Sequence, residues 1–188
     1  MSRTFAHAVG FDDAPFDRAS RGDVPMVGVV MSGDRVEGVL SGRIRRDGRN
    51  STDAVAAAVN GSRFAGHLQV IFLQGIAMGG FNVVDLPRLH ALTGLPVIVV
   101  ARKAPDLVKI EHALVNRVPG GQRKWGLIQK AGPMEPCGDV WVQRAGLTLE
   151  EAEEAIGRFA LHGVLPEPLR LAHIIGGGLV LGESRGRP

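Results

Sequence analysis

The chain has 188 residues, 45% of them hydrophobic and 22% charged, with a formal net charge of +3. This is globular composition, which excludes a disordered chain, a coiled coil and a collagen-like repeat, and the length suits one domain over 1–188 with one sizeable core. The single cysteine, Cys137, excludes an internal disulfide framework and a cysteine-based zinc ribbon. No apolar run reaches the ~20 residues that span a bilayer, and the N-terminus lacks the apolar stretch of a signal peptide. A cytoplasmic protein without membrane contact is expected.

Residues 6–11, AHAVGF, read as a buried strand ending at Asp12-Asp13 and Pro15. Residues 25–32 and 35–45 read as two further strands, joined by Ser32-Gly33-Asp34 into a hairpin. Short polar residues at 50–53 precede the alanine-rich run AVAAAV and predict a helix ending near Asn60-Gly61. Residues 68–74 form an apolar strand of the kind buried on both faces. A loop over 75–80 and a short helix over 84–93 follow, then the β-branched strand 95–101. Pro105 opens a helix whose Leu107, Ile110, Leu114 and Val118 keep helical spacing. The glycine- and proline-rich stretch 119–138 reads as an exposed loop with some strand, and 139–143 as a strand. Thr148 and Glu151 form a capping box for the next helix. Pro166-Glu167-Pro168 opens the last one, whose Gly176-Gly177-Gly178 either frays or packs closely. Three antiparallel strands followed by α/β units predict a mixed sheet with helices on both faces, of the ribonuclease H type ahead of a small doubly wound fold.

Charge is unevenly placed. Residues 101–130 carry Arg102, Lys103, Lys109, Arg117, Arg123, Lys124 and Lys130 against Asp106 and Glu111, while 131–160 are acidic. A basic stretch can neutralise phosphates, although a solvated helix face has the same composition. There is no Tyr and only two Trp, so an aromatic platform for single strands is not expected. Asp12 ends an apolar strand, where a carboxylate is costly to bury unless paired or metal-bound, yet Asp-Asp-Ala-Pro is also an ordinary turn. Asp53 suits either a site or the first turn of a helix. Gln74 ends the fourth strand, where a sheet enzyme places a site residue. None of the six histidines pairs at i, i+4, so no zinc site is indicated.

Four segments together resemble a known family: GFDDAPF at 10–16, LQGIAMGGFNVVDL at 73–86, TGLPVIVVARKAPD at 93–106 and LPEPLRLAHIIGGGLVLGESRGR at 165–187. They are similar to the archaeal endonuclease dU family, itself related to endonuclease V, a ribonuclease H-like nuclease of deaminated bases. The resemblance implies a metal-dependent endonuclease of nucleic acid repair, acting on DNA ahead of RNA and using Mg2+ or Mn2+. It makes Asp12, Asp53 and Gln74 the candidate metal ligands, with Arg102 and His173 as further catalytic residues. Arg43, Arg45, Arg46, Arg49, Lys103 and Arg170 are the expected nucleic-acid contacts. Carboxylates holding magnesium generate the nucleophile and offset charge on the leaving oxygen, a cation such as Arg102 or Lys103 stabilises the transition state, and His173 moves a proton.

Two departures from that pattern bear on activity. Gln74 stands where the family places Asp, which removes a negative charge from the ligand set of a hard cation. The segment RIRRDGRNSTDA replaces the Pro-Tyr-Ile-Pro wedge of endonuclease V, so base specificity does not carry over. The alternatives are a catalytically weak or inactive nucleic-acid-binding protein of the same fold, and a small-molecule phosphohydrolase using the same carboxylates.

Overall fold

A computed structural model of the chain describes residues 4–17, 19 and 22–186, so the ends of the 1–188 span lie outside it. The first three strands are β1 (His7–Asp13), β2 (Asp23–Ser32) and β3 (Arg35–Arg45), paired antiparallel as expected from the hairpin signal. Helix α1 (Ser51–Asn60) leads to β4 (Val70–Gln74), which pairs parallel with β1. A small ribbon of β5 (Ala77–Met78) and β6 (Asn82–Val83) occupies the expected loop, followed by α2 (Leu86–Thr93) and β7 (Val97–Ala101). Then come α3 (Leu107–Arg117), α4 (Gly121–Lys130), β8 (Glu135–Cys137), β9 (Val140–Ala145), α5 (Leu149–Phe159) and α6 (Glu167–Leu181). The main sheet has seven strands in the order β3-β2-β1-β4-β7-β9-β8, parallel only at β1–β4–β7.

Strand alternation divides the core. Ala8, Phe72, Ile98 and Val142 face α5 and α6, with Phe72 edge-on to Phe159 at a ring separation of 5.9 Å. Val9, Phe11, Ile71, Leu73 and Val99 face α1 and α2. Both faces of the central strands are therefore buried, which explains why 68–74 and 95–101 read as continuous apolar runs. Each large apolar side chain buried there contributes about 1.5–3 kcal/mol.

The stretch 119–138 differs from its expectation. Its centre is helix α4, not a loop, because Trp125 and Ile128 pack with Leu114 and Val83 into a third small cluster. Glycine content hid this helix, yet it needs one glycine: a Cβ on Gly121 would lie 1.7 Å from the Leu114 carbonyl oxygen, where α3 and α4 meet. The glycines of α6 do not break it either. A Cβ on Gly176 would lie 3.1 Å from Ala14 Cα, so the helix is set close against the chain beyond β1. No helix among the described residues is long and apolar enough to cross a membrane.

Candidate functional site

The parallel register sets Phe11 beside Leu73, and one residue further along the two strands lie Asp12 and Gln74. Both side chains fall on the sheet face covered by α6, by the same alternation that buries Phe72 there. Helix α6 is locked to β1 by Gly10, where a Cβ would meet Leu169 N and Pro168 C at 2.7 Å. One turn further along α6, His173 Nδ1 lies 3.0 Å from Asp12 Oδ2, although 161 positions separate them in the chain. A further turn brings Gly176 to Ala14. A two-residue step of strand, about 6.7 Å, is thus matched by roughly one helical turn of about 5.4 Å.

Asp12, Asp13, Gln74 and His173 line one cavity of about 410 Å3, completed by Ala14, Pro15 and Phe16. Burial, and then the neighbouring Asp13 charge, push the Asp12 carboxyl up to about 7, while the hydrogen bond and charge of His173 oppose the rise. Burial also raises Asp13, against a hydrogen bond from the Gly79 backbone N–H. The Gln74 Oε1 is buried and has no hydrogen-bond partner among the described residues. Such an orphan costs about 1–3 kcal/mol unless solvent or a cation meets it. Two carboxylates that resist ionisation and an unsatisfied amide oxygen form an oxygen-only donor set, which fits a hard divalent cation. Among the described residues no group of three His, Cys, Asp or Glu side chains is placed to hold a metal, so the amide oxygen is needed to complete such a set.

The remaining candidates are distributed differently. Asp53 does not line this cavity. It lies in the first turn of α1, which buries Ser51, Thr52, Val55, Ala56 and Val59, and its exposed carboxylate pairs with Arg88 at 2.7 Å. Its helix-start position is as expected, but the helix turns it outward toward α2. Arg102 and Lys103 follow β7 and are exposed, at the same sheet end as Asp12 but outside the cavity wall. Arg43 and Arg45 are exposed on the edge strand β3, where Arg45 lies 3.4 Å from Asp23, and Arg49 is exposed beyond it. Arg170 is a brace, not a free contact: it holds the buried Glu167 through two hydrogen bonds of 2.8 and 2.6 Å. His162 adds a third contact to Glu167 at 3.3 Å. This fixes the start of α6 and, through it, His173.

Sequence reasoning missed Asp13, because strand alternation sends it to the face opposite Asp12. The strand ends there, and both carboxylates open into the same cavity. It also missed a second cavity of about 450 Å3 that shares Phe16 with the first and is lined by Arg46, Asp47, Gly80, Phe81 and Arg117. Asp47 shapes its wall. With φ at 50°, it accepts the Phe81 N–H at 2.8 Å, donates its own N–H to Gly79 O at 2.9 Å, and receives the buried Lys124 ammonium on its carbonyl. No local signal marks Phe16 or Phe81, since a lone Phe in a loop also serves as core.

Gly10→Ala provides a direct check on how the site is assembled. Overpacking at the β1–α6 contact is expected to cost about 1–3 kcal/mol in thermal or urea denaturation. It should also lower any activity of the Asp12 site by about 100-fold, since the helix carrying His173 must shift by an ångström-scale distance. An unchanged melting temperature would show that α6 yields at this point.

Comparison with known proteins completes the picture. A UPF0215 protein of Deinococcus radiodurans is 59% identical over 182 residues, covering 97% of this chain and 93% of its own length. The crystal structure of a protein of unknown function from Archaeoglobus fulgidus superposes with a TM-score of 0.87 at 35% identity, covering 93% of this chain and 98% of that one. Endonuclease V of Ciona intestinalis, crystallised with a DNA 24mer containing an inosine followed by a ribo-adenosine, gives a TM-score of 0.55 at 14% identity. That match covers 89% of this chain and 83% of the other, and shows a shared ribonuclease H-like fold. The family model described as endonuclease dU matches residues 4–180, and the chain therefore belongs to the endonuclease dU family.

Proposed function

We propose that this protein is a metal-dependent endonuclease that cleaves a phosphodiester bond of nucleic acid, DNA ahead of RNA, at a deaminated base. The observation that carries the reading is the shared cavity of Asp12, Asp13, Gln74 and His173, in which the buried Gln74 oxygen has no hydrogen-bond partner among the described residues. Family membership supports the reaction class, and the inosine-containing DNA held by the Ciona enzyme supports the substrate class. Asp12, Asp13 and Gln74 would hold the Mg2+ or Mn2+, with Asp53 kept as a more distant acid. The bound ion supplies an activated water and offsets charge on the phosphate oxygens.

The chain's own groups do the rest. Asp12 engages Nδ1 of His173, which fixes the ring and leaves Nε2 to move a proton at the reacting phosphate. The cavity of Phe16, Phe81, Arg46 and Arg117 adjoins the reacting position and offers the neighbouring nucleoside aromatic faces and guanidinium donors. Arg102 and Lys103 stand at the same sheet end, within reach of the flanking backbone.

The test is a cleavage panel of uracil-, inosine- and xanthine-containing oligonucleotides, each with Mg2+ or Mn2+. Cleavage of at least one, lost on chelation, is the expected result. No cleavage of any substrate, with binding retained, would replace this reading by a nucleic-acid-binding protein of the same fold. Gln74 in place of the family's Asp is the feature that favours that second reading.

A further inference from the structure

The sheet end remote from Asp12 carries another polar cavity, of about 380 Å3. Three segments meet there: the start of β1 at His7, the start of β3 at Arg35 and Glu37, and the α1–β4 connection at Arg63, Phe64 and His67. The walls are braced. Gln69 Oε1 accepts the backbone N–H groups of Ala6 and His7 at 2.6 and 2.9 Å, which ties the connection to β1. The Phe64 ring fills the space above Gly38, where a Cβ would lie 2.4 Å from it. The Arg63 guanidinium is stacked 4.8 Å over the Phe64 ring centroid. The His7 and His67 rings stand 6.2 Å apart.

The chemistry of this cavity is that of anion binding. Glu37 is the carboxylate of its lining, and it is taken up by Arg35 in an ion pair. Arg63 makes no ion pair among the described residues, and a stacked guanidinium keeps its planar set of N–H donors pre-organised. Two imidazoles add donors beside it. The lining offers no cluster of carboxylates or activated nucleophile, so it binds without cutting. Its position suits a nucleotide chain. His7 lies five residues before Asp12 on β1, about 17 Å away, or roughly five base-pair steps of a duplex. The exposed edge strand β3 joins the two ends, with Arg35 at one and Arg43 and Arg45 at the other.

We propose that the cavity of His7, Arg63 and His67 is a second, non-cleaving phosphate site, which takes a nucleotide phosphate. The source is either the backbone of the nucleic acid engaged at Asp12, an assignment that rests on the function proposed above, or a free mononucleotide. Duplex binding is measured by anisotropy over 50–300 mM salt, without divalent metal, for wild type, Arg63→Ala and His67→Ala. Loss of the Arg63 charge should flatten the log K against log salt slope by about 0.9, and either variant should weaken low-salt binding several-fold. In parallel, wild-type imidazole NMR signals are followed during titration with deoxyadenosine monophosphate and, as a control, deoxyadenosine. A flattened slope assigns the backbone as the source. Shifts of the His7 and His67 signals by the monophosphate alone, lost in Arg63→Ala with the slope unchanged, assign the free nucleotide. Unchanged slopes in variants that melt like wild type, with no monophosphate-specific shift in wild type, overturn the proposal. The NMR arm needs no cleavage, so its result is independent of whether the Asp12 site is a nuclease.

Discussion

Asp12→Asn is expected to lower cleavage by about 100-fold or more and, in chelator at pH 8, to raise the melting temperature. The two effects share one cause. Burial and the Asp13 charge hold the Asp12 carboxyl near 7, so ionising it costs the folded protein free energy. The folded value lies above the ordinary carboxylate value of 3.8, so the folded state binds more protons than the unfolded chain between about pH 4 and 7. The stability associated with neutral Asp12 is complete below about pH 4 and is lost as pH rises through about 7. Roughly three pH units correspond to at most about 4 kcal/mol. Asparagine is neutral and near-isosteric, and its amide oxygen still accepts from His173, so it removes that cost. The wild-type melting temperature should fall from pH 4 to pH 8, and the variant's should fall less, with Asp13 retaining part of the slope. The activity loss follows because an amide cannot supply the ligand charge, a deficit of the order of 10²–10³ in rate for one lost electrostatic contact. Differential scanning calorimetry over pH 4–8 reads the first effect and oligonucleotide cleavage the second. Parallel pH profiles for the two proteins would show that Asp12 ionises freely.

Gln74→Asp should act in the opposite direction on both readouts. A third carboxylate at this sheet end adds repulsion to two groups that already resist ionisation. In chelator the expected loss is about 2 kcal/mol, or roughly 4–8 °C for a domain of this size. Magnesium at 100 times its Kd restores about 2.7 kcal/mol, because it binds the folded state alone. The cleavage rate should rise at least tenfold, worth about 1.4 kcal/mol of transition-state stabilisation. Aspartate is one methylene shorter than glutamine, so Gln74→Glu serves as the length-matched control. If both variants melt lower in chelator but gain neither stability nor rate with Mg2+ or Mn2+, the cavity does not hold a divalent cation.

Much of the fold is legible in local pattern. The hairpin of β2 and β3 shows in Ser32-Gly33-Asp34, and the capping box at Thr148 and Glu151 is realised with both of its hydrogen bonds. Helix α4 was hidden, because Gly121 serves a close α3–α4 contact that composition reads as loop. Within the site, Asp12, Gln74 and His173 were nameable from strand ends and from the resemblance. Asp53 was nameable for the same reasons and points elsewhere, since a helix-start acid reads alike whether it turns inward or outward. Arg170 read as a basic contact and instead braces Glu167, because charge in sequence does not reveal its partner.

The sequence by itself determined the order of the strands and helices apart from α4 and the β5–β6 ribbon, the two-sided burial of β4 and β7, and the placing of Asp12 and Gln74 near strand ends. These follow from periods of two and 3.6 residues that operate over a few neighbours. Only the tertiary structure decided that Asp13 joins Asp12 in one cavity, that Gln74 Oε1 is left without a partner, and that His173 meets Asp12 across 161 positions. Those outcomes depend on how closely α6 seats on Gly10 and on where β1 stops. Such distances are set by packing between elements, and no local periodicity encodes them.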